Sequence, residues 1–332
     1  MSPQYVIVND FNGDTYQDLA VANFDSATVS ILLGNGDGSF QTQMAFATEI
    51  GSRSLASDDF NGDGFEDLAV VNQDSSTVSI LLGIGTGSFQ TQVEFSTGDA
   101  PYSVASADFN GDNNIDLAIA NSGDGTVSIL LGDGTGNFNQ LAQITSGGGT
   151  HFVTTSDLNS DGYADLVVAN HILSGTVSIF LGNGNGTFQT RKTFSTDRYP
   201  TAIVIGDFNG DSKKDLAVVN KYTNDTVSIL LGNGTGDFAS RTTFATASYG
   251  YSIAIGDFNG DSNEDLAVTN SNSNQVGVLL GYGNGAFQTQ KTYATGANPF
   301  AVAVGDFNGD SRPDLAVANY NDDTVSILLN IY

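Results

Sequence analysis

Cysteine is absent from this sequence, which removes disulfides, zinc–thiolate sites and cysteine nucleophiles together. That absence does not fix a compartment, because a large β domain tied by metal has no need of disulfides. Basic residues are scarce, ten against 37 acidic ones. The formal charge of −27 argues against nucleic acid, which needs a basic surface to displace its counterions. No apolar run approaches the roughly 20 residues that span a bilayer. The opening MSPQYVIV has neither the basic start nor the long apolar stretch of a secretory signal. Helix-period apolar patterning is missing too. Forty glycines, with Phe and Tyr but no Trp, suit many short strands joined by tight turns. There are two histidines, and most acids belong to one motif, so the groups that catalysis would bring together are not visible. No catalytic residue is assigned, and the chain is expected not to be an enzyme.

What the sequence does contain is a repeat. DFNGDTYQDLAV begins at Asp10 and returns as DFNGDGFEDLAV at Asp59, DFNGDNNIDLAI at Asp108 and DLNSDGYADLVV at Asp157. It returns again as DFNGDSKKDLAV at Asp207, DFNGDSNEDLAV at Asp257 and DFNGDSRPDLAV at Asp306. The steps are 49, 49, 49, 50, 50 and 49 residues, and a fixed period along the whole chain signals one repeat architecture, a single domain over 1–332. Positions 6 to 8 drift, while the acids at 1, 5 and 9 and the Asn at 3 hold in all seven.

Asp, Asn and Gly favour turns, so a polar turn is the plain explanation. The sharper one is a cation cage, in which side-chain oxygens at alternate positions converge on one hard ion. A turn alone has no use for an acid at position 9, one residue before an apolar strand. Charge points the same way, because three like charges crowded in each loop oppose the compact state unless something neutralises them.

Each unit reads as four short strands. In the second, RSLASDDF is strand A, DLAVVN strand B, TVSILLG strand C and FQTQVEF strand D. Val78, Ile80 and Leu82 alternate along one face of strand C. Strands A and B are rich in Ala, Ser and Val, whereas C and D carry Leu, Ile and Phe, as a wedge widening from a central axis requires. The expected fold is all-β, a seven-bladed β-propeller.

The pattern Asp-x-Asn-Gly-Asp-x-x-x-Asp-Leu, set between a small-residue strand and LAVAN, resembles the FG-GAP (or VCBS) repeat. That repeat builds the propeller of integrin α subunits and of a seven-bladed fungal lectin. The resemblance covers essentially the whole chain. It implies calcium, up to seven ions, in the A–B loops, and extracellular or cell-surface adhesion or recognition. The implied ligands in blade 1 are Asp10, Asn12, Asp14 and Asp18, with the carbonyl of Tyr16. Blade 2 supplies Asp59, Asn61, Asp63, Phe65 and Asp67, and blade 3 Asp108, Asn110, Asp112, Asn114 and Asp116. Blade 4 supplies Asp157, Asn159, Asp161, Tyr163 and Asp165, and blade 5 Asp207, Asn209, Asp211, Lys213 and Asp215. Blade 6 supplies Asp257, Asn259, Asp261, Asn263 and Asp265, and blade 7 Asp306, Asn308, Asp310, Arg312 and Asp314. Calcium is expected over magnesium because a flexible, oxygen-rich loop suits six to eight ligands. Blade 4 departs from the pattern with Ser160 where the others have Gly, which predicts a strained loop.

Variation concentrates elsewhere. Six residues before each first aspartate stand Gln4, Arg53, Tyr102, His151, Thr201, Tyr251 and Phe300. After the Asn that ends strand B come Phe24, Gln73, Ser122, His171, Lys221, Ser271 and Tyr320. Unconstrained loops drift, but these positions share the face opposite the acidic loops, where an aromatic and polar rim could bind sugar or protein. Candidate ligand-binding residues are Arg53, Tyr102, His151, His171, Arg198, Lys221, Tyr251, Phe300 and Tyr320. Seven of the ten basic residues, Arg198 and Lys221 among them, lie in blades 4 and 5. Either they offset local acidity or they dock an anionic group such as a sugar carboxylate, which Arg grips bidentately.

The expected function is a calcium-stabilised recognition module, lectin-like or adhesive, for a glycan or an extracellular protein. A purely structural scaffold and a polysaccharide-acting enzyme are the alternatives. NGT at Asn185 and Asn233 and NDT at Asn224 are glycosylation sequons. Strand D occurs only six times, beginning near Phe40, Phe89, Phe138, Phe188, Phe238 and Phe287, so blade 7 should have three strands. Its exposed edge, from Thr324 to Leu329, is expected either to be covered by a symmetric partner in a homodimer or to be left short by where the sequence stops.

Overall fold

The computed structural model describes residues 1–221 and 225–331, and nearly all its regular structure is β. Seven antiparallel sheets follow one another along the chain, six of four strands and the last of three. In blade 1, strands A to D are Pro3–Asn9, Asp18–Asn23, Thr28–Leu32 and Met44–Ala47, in that spatial order. Blade 7 has Pro299–Gly305, Asp314–Asn319 and Thr324–Leu328, as the strand count predicts.

Strand B is buried at every position in all seven blades, which explains its near-continuous apolar run. The Asn that closes it also has a task. Asn23 donates from Nδ2 to Thr28 Oγ1 at 3.2 Å and Ser30 Oγ at 2.9 Å, pinning the end of strand B to strand C.

The core is not one mass but seven seams, each between neighbouring blades. Ala20, Val29 and Ile31 of blade 1 pack with Leu55, Leu68 and Leu81 of blade 2. The ring closes where Val6, Leu19 and Val21 meet Ala301, Phe307 and Ala318. There the N-terminal ammonium lies 3.0 Å from Asp323 Oδ1, and Ser2 N–H donates to the same oxygen at 2.6 Å.

Strand D departs from expectation. Phe89 makes a single bridge to Gly83, and the strand proper is Val93–Ser96. Only in blade 3 is it continuous, over Phe138–Thr145. Phe89 packs into the seam, 6.0 Å from Phe11 of blade 1 and 5.3 Å from Phe46, and the ladder is interrupted between it and Val93.

Candidate functional site

Every A–B loop curls through two left-handed residues, such as Gly13 (φ 77°) and Thr15 (φ 72°). Ser160 takes the first of these positions in blade 4 at φ 60°, a conformation that costs a residue with a Cβ about 1–2 kcal/mol. The curl points backbone N–H groups at the loop's own acids. Asp10 accepts Gly13 N–H at 2.8 Å and Thr15 N–H at 2.7 Å, Asn12 accepts Asp14 N–H at 2.9 Å, and Asp14 accepts Tyr16 N–H at 2.8 Å.

Position 9 does something the sequence did not reveal. Asp18 is buried, and its two oxygens accept Phe11 N–H at 2.9 Å and Gly34 N–H at 2.7 Å. It straps the loop to the C–D turn of its own blade. Asp67 does the same with Phe60 and Gly83, and Asp314 with Phe307 and Asn330. An acid before an apolar strand therefore has a use without any metal. Burial pushes the carboxyls of Asp18, Asp67, Asp116, Asp215 and Asp265 up to about 6; the strap hydrogen bonds oppose that rise and the loop's other aspartates add to it.

Among the described residues, no group of three acids or histidines converges on a metal-sized centre. The donor set nevertheless fits a hard divalent ion in its chemistry. It is all oxygen, and a carboxylate oxygen that accepts one amide keeps a second lone pair. In two blades a cation is already supplied from within, for Lys213 Nζ lies 3.2 Å and Arg312 Nη2 2.5 Å from the position-5 aspartates Asp211 and Asp310.

The opposite face is built just as regularly. The residue after each strand B donates its N–H to the D–A connection of its own blade, as in Phe24 to Ser2 O, Gln73 to Gly51 O and Tyr320 to Asn298 O. Those bonds bring the two variable sets together around the axis. Gln4, Arg53, Tyr102, His151, Thr201, Tyr251 and Phe300 line one axial pocket of about 40 Å3. The pocket is small because side chains stack across it. The Arg53 guanidinium lies 3.6 Å from the Tyr102 ring centre and donates to its hydroxyl. Tyr102 lies 3.6 Å from His151, His151 stacks on His171 at 4.5 Å, and Tyr251 stacks on Phe300 at 4.0 Å. Phe300 meets Tyr320 at 5.1 Å, and Lys221 Nζ sits 3.8 Å over Tyr251.

Eight of the nine ligand-binding candidates thus meet. Arg198 does not: its side chain is exposed, outside this stack. The basic sector dissolves likewise, for Lys192 pairs with Asp237 at 3.0 Å and Lys213 with Asp211, while Lys221 turns to the axial ring of Tyr251. Asn185 and Asn233 accept from Thr187 and Thr235 within exposed C–D turns, and Asn224 lies outside the described residues.

Tyr199 and Tyr249 join the stack unforeseen, 5.1 Å from His171 and 4.7 Å below Lys221 Nζ. Both hold left-handed backbone, at φ 51° and 67°. Their register, two residues before the axial position, carries Ser2, Gly51, Ala100, Gly149 and Asn298 in the other blades. Two large rings where small residues are the rule was the available signal.

The pKa of Lys221 is lowered to about 8, by burial first and then by Arg53, with Asp225 opposing. Burial, then His171 and Arg53, holds His151 well below the ordinary range, so it is neutral at pH 7. No carboxylate lines the axial pocket among the described residues, and Arg53 Nε is buried there without a hydrogen-bond partner.

These features define a class: a seven-bladed propeller with an acidic, self-strapped loop on one face of each blade and variable loops on the other. The chain belongs to the FG-GAP-like repeat family, whose pattern matches residues 10–70, 59–119, 108–168, 157–218, 207–268 and 257–317. No curated protein matches it. Among solved structures it is similar to BBS1N in complex with ARL6DN, at 14% identity and TM-score 0.70, over 100% of this chain and 93% of that one. It is also similar to a Bacteroides fragilis protein provisionally named a 6-phosphogluconolactonase (15%, TM-score 0.70, 90% and 86% covered). A third is a catalytically inactive virginiamycin B lyase from Staphylococcus aureus, solved with quinupristin (14%, TM-score 0.66, 99% and 95% covered). At these identities the likeness is one of fold.

Proposed function

We propose that this chain is a calcium-stabilised extracellular recognition module whose axial face binds an acidic glycan and catalyses no reaction. The observation that carries the reading is that Arg53 lies over Tyr102 and Lys221 over Tyr251 on the axial face, with no carboxylate lining the axial pocket, in a chain of net charge −27. A half-buried guanidinium in a pocket that no carboxylate lines favours an anionic ligand, and a guanidinium matches a carboxylate in shape. Aromatic faces beside them suit the apolar face of a sugar ring. Tyr199 and Tyr249 support the same face, adding two rings to it beside His171 and Lys221. Calcium in the A–B loops would neutralise the acids that the fold crowds together. The residues to hold it are the aspartates and Asn at positions 1, 3, 5 and 9.

A protein ligand is the second reading, favoured by the similarity to BBS1N, which was solved in complex with ARL6DN. A glycan array with and without EDTA separates the two. Acidic glycans should be retained over neutral ones, and Arg53→Ala with Lys221→Ala should abolish retention without lowering the melting temperature. Affinity should fall between pH 7 and 9 as Lys221 loses its proton. Equal retention of neutral and acidic glycans, or none, rejects the glycan reading.

A further inference from the structure

Hydrogen-bond donors outnumber their partners in the axial pocket. Among the described residues Arg53 is its one charged lining residue, since His151 is neutral and no carboxylate lines it. Arg53 Nε is buried with no hydrogen-bond partner, and so is Ser54 Oγ, on a residue only 3% exposed. Ser54 stands apart from the other serines of its register. Ser103 Oγ donates to the Val153 carbonyl of the next blade at 3.4 Å and accepts Val153 N–H at 3.3 Å. Ser252 Oγ accepts Val302 N–H at 3.3 Å. Ser54 makes neither kind of bond.

Two phenols on the pocket wall add to the surplus. Tyr102 accepts from Arg53 Nη2, and Tyr251 accepts from Lys221 Nζ at 2.5 Å. Arginine and lysine side chains cannot accept in return. The O–H of each phenol is therefore left to donate, and no acceptor for it stands among the described residues.

We propose that the pocket binds one small anionic group, a halide ion or a single carboxylate, held by Arg53 Nε and Ser54 Oγ. An anion accepts from every donor around it and offsets the guanidinium charge. A water accepts from two donors and must then place its own hydrogens. Size limits the occupant, because 40 Å3 is room for about three waters and not for a sugar ring. The field of Arg53 also reaches His151 and Lys221 and lowers the pKa of both, as a cation without a counterion does. The inference rests on the same Arg53 as the glycan reading and states what group enters beneath the rings.

The test follows amide NMR shifts of the full chain in chloride-free buffer, titrated with sodium chloride and, separately, with sodium formate. Saturable shifts centred on Arg53 and Ser54 are expected. Saturation by chloride marks a site for a free ion, and saturation by formate alone marks a socket for the carboxylate of a larger ligand. Ser54→Ala should weaken binding about tenfold, the worth of one hydrogen bond to a charged group. Arg53→Gln should remove saturation. Bromide located by anomalous scattering in crystals of the unaltered chain needs no variant, and its peak should lie within hydrogen-bond distance of Arg53 Nε and Ser54 Oγ. Shifts that never saturate, equal affinity in Ser54→Ala, or bromide bound only elsewhere overturn the proposal. Neither titration contains a glycan, so an array that retains nothing leaves an observed ion site standing. Retention of acidic glycans beside flat titrations overturns the ion site alone.

Discussion

The ring of Phe40 meets the ring of Phe307 edge-on, 5.6 Å apart at 65°, so the outer turn of the first blade rests on the acidic loop of the last. Gly38 N–H donates to the Phe307 carbonyl at 2.7 Å beside it. This seam closes the propeller without a fourth strand in blade 7. Phe307→Ala should therefore cost about 3–5 kcal/mol, the usual loss for a buried aromatic. Phe258→Ala, whose ring faces an open groove, should cost clearly less. Urea midpoints measured side by side check the order, and equal losses would mean that closure does not run through this pair.

Position 9 and position 5 of the acidic loop should separate in EDTA. Asp67→Ala leaves the buried N–H groups of Phe60 and Gly83 without an acceptor, so it should lose about 2–4 kcal/mol with or without metal. Asp63→Ala, in the exposed part of the loop, should be close to neutral in EDTA and should blunt the gain in melting temperature that calcium gives. Asp37→Ala, in a C–D turn, should do neither. Calorimetric scans of the three variants in EDTA and in millimolar calcium decide it.

The metal-free protein should be more stable at mildly acid pH than at neutrality. Burial raises Asp18, Asp67, Asp116, Asp215 and Asp265 to about 6, above the ordinary 3.8, so the native state holds these protons more tightly than the unfolded chain. Stability then falls as pH rises across that window. Melting in EDTA should be higher at pH 5 than at pH 7.5, and saturating calcium should reverse the order. A metal-free optimum at pH 7.5 would contradict this.

Calcium should fill the blades unequally. Lys213 and Arg312 already sit on Asp211 and Asp310, and an ion would have to displace them. Lys213→Ser and Arg312→Ser should raise calcium affinity in blades 5 and 7, seen by titration calorimetry as added high-affinity stoichiometry. Unchanged isotherms would show that these ion pairs do not compete.

The sequence made the blades legible because a sevenfold repeat averages out local ambiguity. Period, strand order and the short blade 7 could all be read by setting the repeats in register. The axial residues were legible for the same reason, since Arg53, Tyr102 and His151 occupy one register position. Strap and stack were not. The work of Asp18 depends on where Gly34 lies, sixteen residues away, and no spacing rule states that a buried carboxylate will take two amides there. The seam contact of Phe89 with Phe11 was not legible either, since it joins two blades and is invisible within one repeat. Proximity in the chain groups Lys221 with a basic sector, whereas the fold sets it over the rings of Tyr249 and Tyr251.

The strap also bears on how such a chain can change over time. Every fastening it makes lies within one repeat, seven or sixteen residues apart in blade 1, while five of the seven blades offer their successor the same Phe-on-Phe socket. A repeat gained or lost as a unit therefore brings its own internal lock and meets neighbours whose sockets already fit. Such a chain can exchange blades by recombination and vary its axial residues one at a time. The number of blades is then set by the wedge angle of the ring rather than by any single contact.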